Sequence, residues 1–311
     1  IDIDLLKEQF SNQLHNCFEG DVELNDTRNL NEEGQYYLDI SASCLNNAIN
    51  IKNSVSAKEL LIKFDDKVSW INAKIHSDDN NLKLILQGKE ELYIGNLDSN
   101  SFLYTKLLGN KIAFAGKVLS KALMLQTEYF KCTKDALLST TNFTQIIIEE
   151  KGEIHCKIVN DKMGVILKKG VGAGFNKVLV GEEGFISSGK GPVKLNLGYN
   201  SELEIITREL HDQQDDQSLV MASGKEVKIT AGRININEGS EIAIYDDEKS
   251  NTKESKGRII FATHNMVISG EIRNNFGKIV IRLDGDEGYF TLGEKGIING
   301  REIYIDYTKG K

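Results

Sequence analysis

The sequence predicts an all-β chain wound as a right-handed parallel β-helix, a solenoid, with a short N-terminal helical cap. Three observations predict it. Short apolar runs with a period of two recur along most of the chain, each bounded by Gly, Asn, Asp or Ser. Proline is nearly absent: Pro192 stands alone where average usage of roughly 5% would give about fifteen. Ile and Asn are abundant, 35 and 27 of the 311 residues. Branched Ile packs well on a pleated surface, and Asn tolerates the backbone of tight bends. An AT-rich coding sequence would enrich the same two residues whatever the fold. The proline count fits the solenoid because every amide of a rung bonds to the rung above or below, and proline has no amide hydrogen. Pro192 itself falls in Gly189-Lys190-Gly191-Pro192, a turn.

The elements follow in order. Residues 1–22 read as the cap. Ile3, Leu6, Phe10, Leu14 and Cys17 recur at three or four residues, which predicts an amphipathic helix over 3–18, stopped by Gly20. A second short helix is expected from Ala57 to Phe64, with Ser56 as its N-cap. Residues 23–80 as a whole read as irregular first rungs or as part of the cap.

Residues 81–311 read as the rod. Runs such as Leu82 to Leu86, Val193 to Leu197, Val227 to Ile229, Lys278 to Ile281 and Ile303 to Ile305 are strand-length and closely spaced. Strand centres near 228, 260, 280 and 304 imply rungs in the low to middle twenties of residues. Ile268-Ser269-Gly270-Glu271-Ile272-Arg273 also resembles Ile298-Asn299-Gly300-Arg301-Glu302-Ile303. Glycine is concentrated in the second half: 6 of the 28 lie in residues 1–150, which places many more bends in 151–311. A large β-sandwich is the competing architecture.

Composition narrows the function. The net charge is −8, so the chain has no basic excess for general nucleic-acid binding. No run of about 18 apolar residues is present to cross a membrane as a helix. The chain starts at Ile1 with no basic stretch and apolar core after it; a removed signal and a trimmed piece both fit that start. The four cysteines, Cys17, Cys44, Cys132 and Cys156, include no Cys-x-x-Cys pair, which excludes a zinc ribbon. Cys156 reads as a small core residue between Ile154 and Ile158, and a Cys17–Cys44 bridge is left open. No cofactor is expected.

The phrases Ile112-Ala113-Phe114-Ala115-Gly116-Lys117-Val118-Leu119-Ser120-Lys121-Ala122-Leu123 and Ala231-Gly232-Arg233-Ile234-Asn235-Ile236 resemble the right-handed β-helices of large secreted bacterial adhesins. The closest group is the filamentous-haemagglutinin type and its autotransporter relatives. The resemblance covers residues 80–311; the secretion motifs usual near the start of the haemagglutinin type are not recognisable. It implies a non-enzymatic protein, secreted or at the cell surface of a bacterium, acting in virulence by binding a host or neighbouring-cell protein or glycan.

The alternative is a polysaccharide-degrading enzyme on the same rod. Its acids would be Asp212, Asp215 and Asp216 in one polar run and Asp246 and Asp247 in another, since paired carboxylates cleave glycosidic bonds. The Gly-His-Gly and Arg-Ile-Lys phrases of pectinase-like enzymes are absent. Solvated loops are rich in such residues without any catalysis. An intracellular scaffold polymerising end to end is a third reading. Asp284, Asp286 and Glu287 alternate with glycines and could surround calcium, against the simpler reading of a charged turn. Gly170-Val171-Gly172-Ala173-Gly174 lacks the Lys-Ser/Thr of a phosphate loop and reads as a turn. The five histidines are scattered, Trp70 reads as a core anchor, and Tyr289, Tyr304 and Tyr307 read as an aromatic patch or as packing of the last rungs.

Overall fold

The structure is a computed structural model and describes residue 8 and residues 17–25, 30–40, 43–172, 174–181, 183–206, 219–244 and 257–308. Those residues form a parallel β-solenoid of about 11 turns in all. The chain divides into two compact units, Ile1–Thr141 and Asn142–Lys311.

In the first unit each turn contributes strands to three parallel stacks. One stack holds Tyr36–Ile40, Glu59–Phe64, Lys83–Gln87, Tyr104–Leu108 and the middle of Lys117–Cys132. Its register runs Tyr36, Leu60, Leu84, Thr105, Leu123, in steps of 24, 24, 21 and 18 residues. A second stack aligns Cys44, Trp70, Tyr93 and Ala113. In the third, Phe18–Leu24 lies on the later part of Cys44–Asn53, which lies on Val68–Ser77. Alternation does the work: Leu60, Ile62 and Phe64 are buried while Glu59 and Lys63 face out or lie at the rim. Trp70 is buried with its ring 5.0 Å from that of Tyr93, an anchor as expected.

The second unit repeats the plan. Its longest ladder is Thr144, Val165, Val193, Val227, Ile259, Ile279, Ile303, with steps of 21, 28, 34, 32, 20 and 24 residues. The expected centres at 228, 260, 280 and 304 are themselves register partners. From Val165 to Ile279 the ladder is wholly buried, and two residues along Leu167, Leu195, Ile229, Phe261 and Ile281 form a second buried row. The repeated phrases at 268 and 298 do not stack: Ile268 pairs with Leu292 and Ile298 with Ile272.

Buried polar residues hold one corner of the second unit. Asn160 Nδ2 donates to the Asn142 carbonyl at 3.0 Å, and its Oδ1 accepts from Gly164 N at 2.7 Å and Ser188 Oγ at 2.9 Å. Two turns on from Asn160, Ser223 Oγ donates to the Gly191 carbonyl at 2.7 Å and accepts from the amides of Lys225 and Glu226. Asn160, Ser188 and Ser223 are register partners in successive turns. Here the side chains replace the backbone bonds that a bend removes from the ladder.

Two expectations are corrected. Glu59–Phe64 is a strand, not a helix, and Ser56 lies in a bend with φ of 56°. An isolated eight-residue helix is marginal, whereas here strands on both sides pair the backbone and bury Leu60, Ile62 and Phe64. The expected helix over 3–18 falls outside the described residues except at 8, 17 and 18. Phe18 already belongs to the strand Phe18–Leu24 and Gly20 sits inside it, so Gly20 does not stop a helix; within 3–16 only Glu8 is described, and it is helical. Gly170 to Gly174 leads into the strand Asn176–Val180, so its described residues do not precede a helix.

Candidate functional site

The acidic candidates Asp212, Asp215, Asp216, Asp246 and Asp247 lie outside the described residues. Their attachment points are described. The first segment leaves at Ile206, whose amide donates to the Val180 carbonyl at 2.9 Å, and returns at Leu219. The second leaves at Ile244 and returns at Gly257, where the Arg258 amide donates to the Lys225 carbonyl at 3.2 Å. Leu219–Ser223 and Glu241–Ile244 are paired neighbours in one stack. The first segment therefore enters that stack at one edge and the second departs from the other, about 10 Å along a strand.

The densest chemistry among the described residues sits at a different corner of the second unit. Tyr199 follows Gly198, whose φ of 73° falls at a register shift inside the strand Val193–Ile205. The Tyr199 ring stacks on His264, with centroids 4.6 Å apart. Its hydroxyl donates to the Asp284 carboxylate, and His264 Nδ1–H donates to the Asp284 carbonyl. Gly232 occupies the turn between Tyr199 and His264; a Cβ there would overlap the Tyr199 carbonyl. Glycine thus opens the space in which two aromatic rings from non-adjacent turns meet. No short motif joins these residues, and the signal that could have found them is addition of the rung lengths.

Partial burial, then donation to Asp284, pushes the Tyr199 hydroxyl up to about 12, with Arg282 opposing. The folded value lies above the ordinary 10.0, so the contribution to stability is complete below about pH 10 and is lost as the pH rises towards 12. An ultraviolet difference titration of wild type against Tyr199→Phe should show the missing tyrosinate with its midpoint near 12; a midpoint near 10 would contradict the assignment.

Asp284 is thus committed to Tyr199, while Asp286 and Glu287 stand exposed on the following turn, where the Tyr307 hydroxyl donates to the Asp286 carbonyl at 3.2 Å. Among the described residues no three His, Cys, Asp or Glu side chains gather as a metal-binding group. A third feature is Glu226, buried at 5% exposure, which pairs with Arg258 from the next turn and lies 3.7 Å from Lys194 of the previous one. A buried carboxylate needs such partners, and two bases supply them.

Cys17 and Cys44 form a disulfide packed against Trp70 and Tyr93, closing the question the sequence left open. Cys156 is buried as expected, and none of the four cysteines is a free thiol. No helix among the described residues is long and apolar enough to cross a membrane.

The described residues define a parallel β-solenoid. No family model, no curated protein and no solved structure matches the chain.

Proposed function

We propose that this protein is a non-enzymatic interaction module, secreted or held at a bacterial cell surface, whose solenoid displays loops to a host or neighbouring-cell protein or glycan. The observation that carries the reading is the ladder Val193, Val227, Ile259. Its two steps, 34 and 32 residues, are the longest in the second unit, yet all three side chains stay fully buried and in register. The added length coincides with the polar runs 207–218 and 245–256, and the ladder on either side of them keeps its register and burial. A scaffold that accepts long polar insertions without disturbing its packing is suited to display. Oxidation of all four cysteines supports export, because disulfides persist in oxidising compartments.

The test replaces 207–218 and 245–256, separately and together, with short Gly-Asn-Gly turns. The far-ultraviolet spectrum and thermal midpoint should be retained, because the ladder is untouched. Binding of the intact chain to a printed glycan array and to a panel of extracellular-matrix proteins should be lost in at least one variant. Depolymerisation of any polysaccharide in a panel by the intact chain, abolished by Asp215→Asn with Asp247→Asn, would overturn the reading in favour of an enzyme.

A further inference from the structure

One bend of the second unit departs from the way this chain handles charge. Elsewhere in the unit, bases meet acids of the adjacent turn: Lys177 lies 3.6 Å from Glu202, Arg273 2.7 Å from Glu241, and Lys278 3.3 Å from Glu302. Lys194 and Arg258 flank Glu226 in the same manner. At the bend that follows the register partners Asn160, Ser188 and Ser223, the pattern fails. Lys162, Lys190 and Lys225 each stand two residues beyond one of those partners, and all three are exposed. The Lys190 amide donates to the Asp161 carbonyl at 3.0 Å, which sets Lys190 beside Lys162. Among the described residues none of the three lysines has an ion-pair partner.

The bend is held in this form by its buried polar side chains. The Gly164 amide donates to Asn160 Oδ1, the Gly191 amide to Ser188 Oγ at 3.1 Å, and the Lys225 amide to Ser223 Oγ at 2.9 Å. Gly189 and Gly191 flank Lys190, so no side chain stands beside it in its own turn. One exposed acid, Asp161, shares the first turn; Gly189 and Gly224 take its place in the next two. Glu226, the acid after Lys225, is buried and committed to Lys194 and Arg258. Like charges on adjacent strands destabilise a sheet. A fixed column of three bases, in a chain of net charge −8, therefore calls for an anion that the three share.

The spacing selects that anion. Adjacent turns are about 4.8 Å apart, so three lysines span about 10 Å at one charge per turn. This repeat is close to the rise of one pyranose in an extended polysaccharide. A lone inorganic anion would not span the column. A single nucleic-acid strand is held by bases stacked on aromatic side chains as well as by its phosphates, and residues 161–164, 189–192 and 224–226 include no aromatic. We propose that Lys162, Lys190 and Lys225 bind an acidic polysaccharide that carries an acid group on each successive sugar. The site lies on described turns, apart from 207–218 and 245–256, so it goes beyond the display of those runs and is tested separately from it.

The test is calorimetric titration of the full 311-residue protein with an oligogalacturonate, which has one carboxylate per sugar. Saturable binding is expected at low salt, weakening as added salt screens the charges. The methyl ester of the same oligomer keeps the sugars, loses the charge and should not bind. Lys162→Gln with Lys190→Gln and Lys225→Gln should weaken binding about tenfold or more. Its thermal midpoint should be unchanged or raised, because the repulsion is relieved. Lys58→Gln with Lys63→Gln and Lys74→Gln, at exposed positions of the first unit, makes the same change in net charge and should leave binding intact. Protein with both polar runs replaced by short turns should bind as well as the intact chain. A sulfated oligosaccharide of equal length is the second arm, and the tighter of the two oligomers identifies the acid. The proposal is overturned if neither acidic oligomer binds, if the ester binds equally, or if the two lysine triples weaken binding alike. It is overturned too if the loop-replaced protein loses binding, since the polar runs then hold the glycan. Tighter binding of single-stranded DNA of the same length would overturn it in favour of a phosphate chain.

Discussion

Asn160→Ala is expected to destabilise the second unit by about 3–5 kcal/mol, among the largest effects of any single polar replacement in the chain. The residue is fully buried, donates to the Asn142 carbonyl and accepts from the Gly164 amide and the Ser188 hydroxyl. Alanine removes all three bonds and leaves the buried Gly164 amide without that acceptor, whereas the Asn142 carbonyl still accepts from the Met163 amide at 2.7 Å. The orphaned amide costs about 1–3 kcal/mol, and each of the other two lost bonds about 1. Asn160→Asp separates the two halves of the argument. Its oxygens still accept from Gly164 and Ser188, but it cannot donate to Asn142 as a carboxylate, and it buries a charge. Urea denaturation should place both variants well below wild type, and amide exchange at Gly164 and Val165 should accelerate first. A loss under about 1 kcal/mol for Asn160→Ala would show that the corner is held by its backbone alone.

Opening the Cys17–Cys44 disulfide is expected to cost about 3–4 kcal/mol, the chain-entropy value for a loop with ends 27 residues apart. The bond ties Cys17, immediately before Phe18–Leu24, to the stack of Cys44, Trp70 and Tyr93. It therefore fixes the start of the described solenoid at a place where only one side of the first strand has a paired neighbour among the described residues. Trp70 is the only tryptophan and packs against the bridge, so its emission reports the change directly. Reductant, or Cys44→Ser, should lower the thermal midpoint and shift Trp70 emission to the red. Thiol labelling of the unfolded, unreduced protein should find no free cysteine. Reactive thiols in protein taken from its source cells would place it in a reducing compartment and count against the surface reading.

Much of this was legible in the residues. Alternation in Val193–Ile205 or Glu271–Asp284 selects a strand and also names its inward face, because a period of two leaves one choice of register parity. The centres near 228, 260, 280 and 304 could be read because that stretch has one strand per turn in the same stack, with Ile or Val at each inward position. The likeness of the phrases at 268 and 298 misled, since Gly and Ile recur at every corner and the two phrases occupy different ones. The helix expected over Ala57 to Phe64 failed for a related reason. Glu59, Leu60, Leu61 and Lys63 are good helix formers, and only strands some 24 residues away on either side make the extended form better.

By itself, then, the sequence determined the strand-rich class, the scarcity of proline, the rung spacing and the direction each apolar side chain faces. These depend on neighbours within a few residues and on a periodicity that local chemistry enforces. Only the tertiary structure decided that Tyr199, His264 and Asp284 share a corner, that Glu226 lies between Lys194 and Arg258, and that Ile303, Ile305 and Tyr307 stand in register with Ile279, Ile281 and Leu283. Those relations depend on the summed lengths of whole turns. Polar insertions change a turn's length without changing its core, so sequence distance stops measuring spatial distance from one rung to the next.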